Sequence, residues 1–137
     1  MANKIRLDIV TPESMVYSEE VNMVIARATD GDVGILPGHA PLIAGLEIWT
    51  LRILTDEGED HMAISGGFIE VTPQKITILA EAAEKPSDID LDRAMKARDR
   101  AQERLNRSDE STDVLRAEIA LKKAINRIQL AQDNKQH

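Results

Sequence analysis

The residues that interrupt regular backbone structure are confined to the first two thirds of this 137-residue chain. All seven glycines lie before residue 68, and all five prolines lie before residue 87. Residues 87–137 contain neither type, and such a stretch favours long helices. The first 86 residues, in contrast, hold enough turn residues to separate many short strands. The chain is therefore predicted to contain two domains, residues 1–86 and residues 87–137.

The charge composition changes at the same boundary. Up to Lys85 the chain has 6 basic and 14 acidic residues, whereas from Ser87 onward it has 11 basic and 10 acidic residues. The net charge of −7 and an aromatic content of 2% are unlike those of nucleic-acid-binding proteins. The absence of cysteine excludes disulfides and thiolate metal sites. No apolar run is as long as a membrane span, so no membrane insertion is expected.

Short apolar runs separated by turn residues predict an antiparallel β-sandwich in the first domain. Residues 5–9 and 49–53 alternate apolar with polar side chains, as half-buried strands do. A turn is predicted at Gly66-Gly67, because it separates two apolar runs. The remaining predicted strands are residues 21–26, 61–65, 68–71 and 76–80.

The second domain is predicted to be two helices with a polar break at residues 106–112. The predicted fold class is therefore α+β, with an N-terminal antiparallel β-sandwich followed by a C-terminal two-helix antiparallel hairpin. Ser87 is the predicted N-cap, because Asp88 and Asp90 would then lie where the helix dipole favours carboxylates. The second helix, from Asp113, carries a coiled-coil-like seam: Val114, Ala117, Leu121, Ala124, Ile128 and Ala131. Half of this seam is alanine, so the hairpin is expected to be only marginally stable alone.

The sequence shows none of the usual catalytic patterns. His39, His61 and His137 have no spacing typical of metal ligands or of a general base. Residues 30–41 hold three glycines, but the aspartates there would repel phosphate and no P-loop lysine follows. We therefore predict no catalytic residue and no metal site. The same loop is interpreted either as a structural turn or as a partner-contact loop.

Basic residues form a line on each predicted helix. They are Arg93, Lys96, Arg100, Arg104 and Arg107 on the first helix and Arg116, Lys123 and Arg127 on the second. One interpretation is a solvated charged face. The other is that both helices direct positive charge at an anion, which would be a phosphate chain or an acidic protein surface.

Four segments, in order along the chain, resemble the epsilon-subunit family of the F-type ATP synthase. They are residues 34–42 (GILPGHAPL), 65–71 (SGGFIEV), 89–94 (IDLDRA) and 117–127 (AEIALKKAINR). The first is similar to a glycine-proline-histidine signature of that family, and the third is similar to the motif that opens its helical domain. The likeness covers essentially the whole chain and is closest to the bacterial type.

The resemblance implies a non-catalytic rotor subunit of the proton-translocating ATP synthase, which couples ion flow to ATP synthesis. The sandwich would bind the gamma subunit and the c-subunit ring, as a peripheral protein at the cytoplasmic face of a bacterial cell membrane. The helical hairpin would inhibit ATP hydrolysis when extended towards the alpha and beta subunits of the catalytic head. Asp32 and His39 correspond to residues of the c-ring contact.

Some bacterial members of this family bind ATP between the two folded helices without hydrolysing it, so the resemblance implies a regulatory ATP site. ATP, alone or with Mg²⁺, would be a regulator and not a required cofactor. Lys123 departs from the arginine of strong ATP binders and lacks its bidentate fork, which lowers the expected affinity. The corresponding residues are Glu84, Ile89, Asp90, Arg93, Arg100, Lys123 and Arg127.

Two other interpretations stay open. The chain could instead be a stand-alone ATP sensor or adaptor, and co-purification with gamma would separate that role from a rotor subunit. It could also be a purely structural rotor spacer with a solvated basic stripe. Replacement of Arg93, Arg100 and Arg127 would separate a spacer from a regulator, through ATP hydrolysis by the assembled enzyme.

Overall fold

The computed structural model describes residues 4–107 and 113–135, and the chain divides into two compact units, Met1–Lys85 and Pro86–His137. Within the described residues, the first unit consists of strands and the second of a short 3-10 turn and two helices. The predicted fold class is thereby confirmed. Most of the predicted break at residues 106–112 lies outside the described residues, as does His137.

The strands of the first unit pair in the order β2-β1-β7-β6-β5-β3-β4, with β8 added to β6. All of these pairs are antiparallel except β1 and β7, which run parallel. The long strands β5 and β6, of 14 and 15 residues, each contribute to both layers of the sandwich. The bounds are β1 (Ile5–Val10), β2 (Met15–Val21), β3 (Met23–Ala28), β4 (Gly31–Ile35), β5 (Leu42–Thr55), β6 (Gly58–Thr72), β7 (Lys75–Ala80) and β8 (Ala83–Glu84).

Alternate side chains of these strands fill a single apolar core. Ile5, Leu7 and Ile9 of β1 are buried, as the alternation predicts. Burying one such side chain contributes about 1.5–3 kcal/mol. The other strands supply further fully buried residues, among them Val24, Ile35, Ile53, Ile69, Ile76 and Ile78.

Strand β6 continues through Gly66-Gly67, so the prediction of a turn there is wrong. Both glycines have positive φ, 88° and 136°. A Cβ atom on Gly67 would lie 2.0 Å from the carbonyl oxygen of Leu79 on the neighbouring strand. Glycine is therefore needed here for the backbone conformation and for the close approach of β7, within a strand and not at its end.

At these glycines β6 also changes the side that faces the core. Met62 and Ile64 are buried before them, and Ile69 and Val71 are buried after them, so the alternation shifts by one residue. The register with β5 stays constant across this point, because β5 shifts its own alternation at the same level. Both strands can thus pass from one layer of the sandwich to the other without losing their pairing.

Two strands, β2 and β4, are not predicted from the sequence pattern. Both lie at the edges of the strand order, where one side of a strand has no neighbour and tolerates polar residues and glycine. β4 occupies the first part of the glycine-rich loop at residues 30–41 and forms a hairpin with β3. That part of the loop is therefore a structural element.

The second unit begins with a 3-10 turn (Pro86–Asp88), followed by α1 (Leu91–Arg107) and α2 (Val114–Lys135). The prediction that Ser87 caps α1 is wrong, because Ser87 lies within the turn. Asp90 is the cap: its Oδ1 accepts a hydrogen bond of 3.1 Å from the backbone N–H of Arg93. Asp113 caps α2 in the same way, accepting from the N–H of Arg116 at 3.0 Å.

The two helices pack on each other through small side chains. The predicted seam of α2 is buried or half-buried, except Val114, which is 40% exposed at the first turn. Close approach of the backbones is possible because alanine has only a methyl group, but each alanine buries little apolar surface. The buried alanines are Ala94 and Ala101 on α1 and Ala117, Ala124 and Ala131 on α2.

Candidate functional sites

The first candidate site lies on the helical unit and starts at the N-terminus of α1. The carboxylate of Asp90 holds the first turn, as described above, and Ile89 beside it is buried. Arg93 and Arg100 are both exposed on α1, seven residues apart and therefore on one side of the helix. Their guanidinium groups are accessible to an anion from solution.

The basic residues of α2 are less accessible than those of α1. Lys123 and Arg127 are half-buried, one turn apart, and the Nε atom of Arg127 is shielded from solvent. Both take part in polar or electrostatic interactions. Six of the seven residues predicted for an ATP site thus belong to the helical unit. The seventh, Glu84, lies in β8 of the sandwich, opposite Ala63 of β6.

The second candidate site lies on the β3–β4 hairpin, where Asp32 stands opposite Arg27. Arg27 Nε is 2.9 Å from Asp32 Oδ1, and its guanidinium carbon is 3.7 Å from the ring centroid of Trp49. Arg27 therefore holds the Asp32 carboxylate while stacking on the indole. The sequence points to Asp32 but not to Arg27 and Trp49, because only the strand register brings these two residues to the same place.

His39 lies after β4 in a turn that is tied to another part of the sandwich. Its Nδ1 donates to the carbonyl oxygen of Ala40 at 2.6 Å, and the N–H of Gly38 donates to the carbonyl oxygen of Pro73 at 2.9 Å. This second bond joins the turn to the β6–β7 connection. The turn is thus fixed to the sandwich and not a free loop.

An apolar surface that the sequence pattern does not predict crosses the outside of the sandwich. Met15, Phe68 and Leu79 are 56%, 61% and 54% exposed. The register places Met15 opposite Val10, Val10 beside Leu79, and Leu79 opposite Phe68, so they form one row across four strands. Ile43 of β5, 75% exposed, lies next to this row. We call these five residues the apolar outer surface; exposed patches of this kind often mark protein interfaces.

A charged cluster around Asp8 ties three strands together. Asp8 Oδ1 accepts a hydrogen bond of 2.7 Å from Ser18 on β2, and Lys75 Nζ on β7 lies 3.1 Å from Asp8 Oδ2. Arg6 Nε lies 3.3 Å from the same carboxylate and also donates to Ser18. The hydrogen bond from Ser18, helped by Lys75 and Arg6, lowers the pKa of Asp8 despite its burial. This cluster is structural.

Among residues 4–107 and 113–135, no three histidine, aspartate or glutamate side chains gather as a metal site. No helix in the same described part is both long and apolar enough to cross a membrane.

Both units match known protein families. Residues 4–86 match the model of the β-sandwich domain of the ATP synthase delta/epsilon chain, and residues 87–132 match that of its long α-helix domain. The ATP synthase epsilon chain of Desulforamulus reducens is 51% identical over 132 residues, 96% of this chain and 100% of that relative. The epsilon chain of Bacillus velezensis is 47% identical over 127 residues, 93% of this chain and 96% of that relative.

Two solved structures contain chains of similar fold. One belongs to the mitochondrial ATP synthase of Euglena gracilis. Its alignment covers 98% of this chain and 82% of that chain, with a TM-score of 0.78 and 25% identity. The other, in the central stalk and c-ring of the Tetrahymena thermophila mitochondrial ATP synthase, covers 96% of both chains with a TM-score of 0.54. At 14% identity, this second likeness is one of fold alone.

Proposed function

This chain belongs to the ATP synthase delta/epsilon family, and on that premise we propose that it joins gamma to the c ring through its sandwich and regulates ATP hydrolysis through its helical pair. Epsilon chains are non-catalytic subunits of ATP synthase, so the chain acts by binding. As part of the central stalk it helps to couple ion flow to ATP synthesis. It is a peripheral subunit at the cytoplasmic face of a bacterial cell membrane.

The apolar outer surface supports a docking role for the sandwich towards gamma. When a partner buries the exposed Met, Leu and Phe side chains of this row, apolar surface is removed from water, which favours binding. Asp32 and His39, on the β3–β4 hairpin and the turn after it, are the proposed c-ring contacts. Co-purification of the full chain with gamma tests this role, and Phe68→Ser should weaken it. A chain that never co-purifies with gamma would be a stand-alone sensor.

The small side chains of the seam between α1 and α2 support a regulatory role for the helical pair. Because half of the seam residues are alanines, separating the helices exposes less apolar area than separating a leucine-rich seam would, and it costs correspondingly less. A pair held this weakly can exchange between a closed form and an extended form that contacts the alpha and beta subunits. Extension blocks rotation during hydrolysis, and closure permits it.

We infer that ATP stabilises the closed form. Arg93, Arg100, Lys123 and Arg127 provide positive charge on both helices for a phosphate chain, with or without Mg²⁺. Asp90 and Ile89 stand at the start of α1, for contacts with the nucleoside. Lys123 offers a point charge where arginine would offer a fork, so we expect modest affinity.

Calorimetric titration of the full chain with ATP tests this site. Arg100→Ala should weaken binding by about tenfold or more, because charge-assisted bonds to phosphate are lost. Arg104→Ala is the matched control, an exposed arginine on the same helix outside the site. Asp90→Asn keeps an N-cap and removes only the charge, so it separates ligand contact from helix capping.

ATP hydrolysis by the assembled enzyme tests the regulatory role independently. If the pair regulates, replacing Arg93, Arg100 and Arg127 with alanine changes the hydrolysis rate. An unchanged rate would make the helical pair a structural spacer. Equal ATP binding by Arg100→Ala and the wild type would remove ATP from the proposal but leave the rotor role.

A further inference from the structure

A cation lies on the side of α1 that packs on α2. Arg98 comes one turn after Ala94 and one turn before Ala101, so the three residues share one side of the helix. The two alanines are 0% and 3% exposed, and the Arg98 side chain is 38% exposed. Most of a charged side chain is thus removed from water at the seam, which is unfavourable unless an opposite charge compensates for it.

The carboxylate that compensates Arg98 belongs to the same helix. Arg98 Nε lies 3.1 Å from Asp99 Oδ1, and the Asp99 side chain is itself 70% exposed. Because the two residues are adjacent in the sequence, this ion pair can form whether or not α2 packs on α1. It therefore gives a closed helical pair no advantage over an open one.

The opposite helix adds no carboxylate at the seam. Within Val114–Lys135 the acidic residues are Glu118 and Asp133, and both are exposed and lie off the seam. The seam of α2 presents alanine and aliphatic side chains to α1 instead. Closing the pair thus takes water away from Arg98 without supplying an opposite charge from Val114–Lys135.

We propose that Arg98 sets the balance between the closed and the extended form, because its partial burial costs free energy in the closed form alone. This inference rests on the proposed exchange between the two forms and adds the residue that biases it towards opening. Arg93 and Arg100 lie on a different side of α1, so Arg98 acts apart from the proposed ATP site. ATP that binds across both helices must offset the cost at Arg98, which therefore raises the ATP concentration needed for closure.

Hydrogen exchange of the full chain tests the proposal. Arg98→Met keeps a long side chain of similar helix propensity and removes the charge. Amide exchange in α1 and α2 should then slow by about fivefold or more. Lys96→Met is the matched control, because Lys96 is exposed on the opposite side of α1, and its exchange should equal that of the wild type. Unchanged or faster exchange in Arg98→Met would overturn the proposal.

Arg98→Lys separates the effect of the charge from that of added apolar surface. It keeps the charge, and an ammonium group is more strongly hydrated than a guanidinium group. Exchange in α1 and α2 should therefore be at least as fast as in the wild type. If Arg98→Lys slowed exchange as much as Arg98→Met, the charge would not be the cause and the proposal would be wrong.

ATP hydrolysis by the assembled enzyme separates this proposal from its premise. Arg98→Met should raise the hydrolysis rate, because the helical pair then stays closed for more of the time. Slower exchange in the free chain together with an unchanged hydrolysis rate would support the role of Arg98 in opening. The same result would count against regulation by the helical pair.

Discussion

Gly67 shows how one missing side chain can control two strands. Its φ of 136° and the carbonyl oxygen of Leu79 both exclude a Cβ atom. The sequence marks Gly66-Gly67 as unusual, but a turn and a change of core-facing side need the same residue type. Only the continuous pairing of β6 with β5 distinguishes a turn from a change of core-facing side, and the local sequence does not reveal that pairing.

We expect Gly67→Ala to destabilise the sandwich by about 3 kcal/mol or more, from backbone strain and the steric clash together. Gly38→Ala is the control: its φ of 82° is also left-handed, but no atom lies within 4 Å of the added Cβ. That change should cost about 1–2 kcal/mol. Free energies of unfolding in urea measure both, and equal losses would show that the Leu79 contact is unimportant.

Asp8 makes the folding stability of the first unit depend on pH in the acidic range. Because Ser18, Lys75 and Arg6 lower its pKa below the ordinary 3.8, the contribution of Asp8 is complete above that value. It is lost as the pH falls through the lower, folded-state pKa. Asp8→Asn should cost about 1–2 kcal/mol at neutral pH and should flatten the loss of stability below pH about 4. Unfolding measured from pH 2 to 7 checks this, with Glu13→Gln as control. A slope unchanged in Asp8→Asn would contradict it.

At the scale of elements, prediction succeeded where burial imposes a period on the sequence. β1 and β7 alternate clearly, and the α2 seam follows intervals of three and four residues. β2 and β4 were not predicted because an edge strand needs only one apolar side, and in β4 Gly31 shares that side with Val33 and Ile35. The start of α1 was misplaced because Ser87 and Asp90 are both good caps, and the 3-10 turn decides between them.

Leu121 is one of the two large seam side chains in the middle of α2, and it is half-buried. Leu121→Ala should therefore loosen the helical unit by about 1–2 kcal/mol, less than for a fully buried leucine. Hydrogen exchange should quicken in α1 and α2 while the core strands keep their protection. Leu115→Ala, at a residue that is 67% exposed, should change neither. Equal acceleration in the sandwich would mean that the two units unfold as one.

At the scale of the whole molecule, the two units differ in charge and in how firmly they are held together. The sandwich is strongly acidic with a large aliphatic core, whereas the helical unit is nearly neutral and buries five alanines beside Ile89, Ile128 and Leu130. The sequence predicts this division from composition alone. It could not predict the second candidate site fully, because Arg27, Trp49 and Asp32 meet only through strand register.

An assembled enzyme that carries only residues 1–86 of this chain should still couple ion flow to ATP synthesis, because the proposed gamma and c-ring contacts lie in the sandwich. Its ATP hydrolysis should exceed that of the enzyme with the full chain, because the proposed extended form of the helices cannot then occur. Parallel assays of synthesis and hydrolysis on membrane vesicles measure both. Loss of synthesis in the shortened enzyme would place a coupling contact in the helical unit.

The uninterrupted pairing of β5 with β6 has a mechanical consequence for a part of a rotor. Two strands of 14 and 15 residues span both layers, so a load applied to one layer travels to the other along covalent backbone. Their ladder resists sliding because many hydrogen bonds would have to break at once. The sandwich thus behaves as a stiff coupling between its two layers.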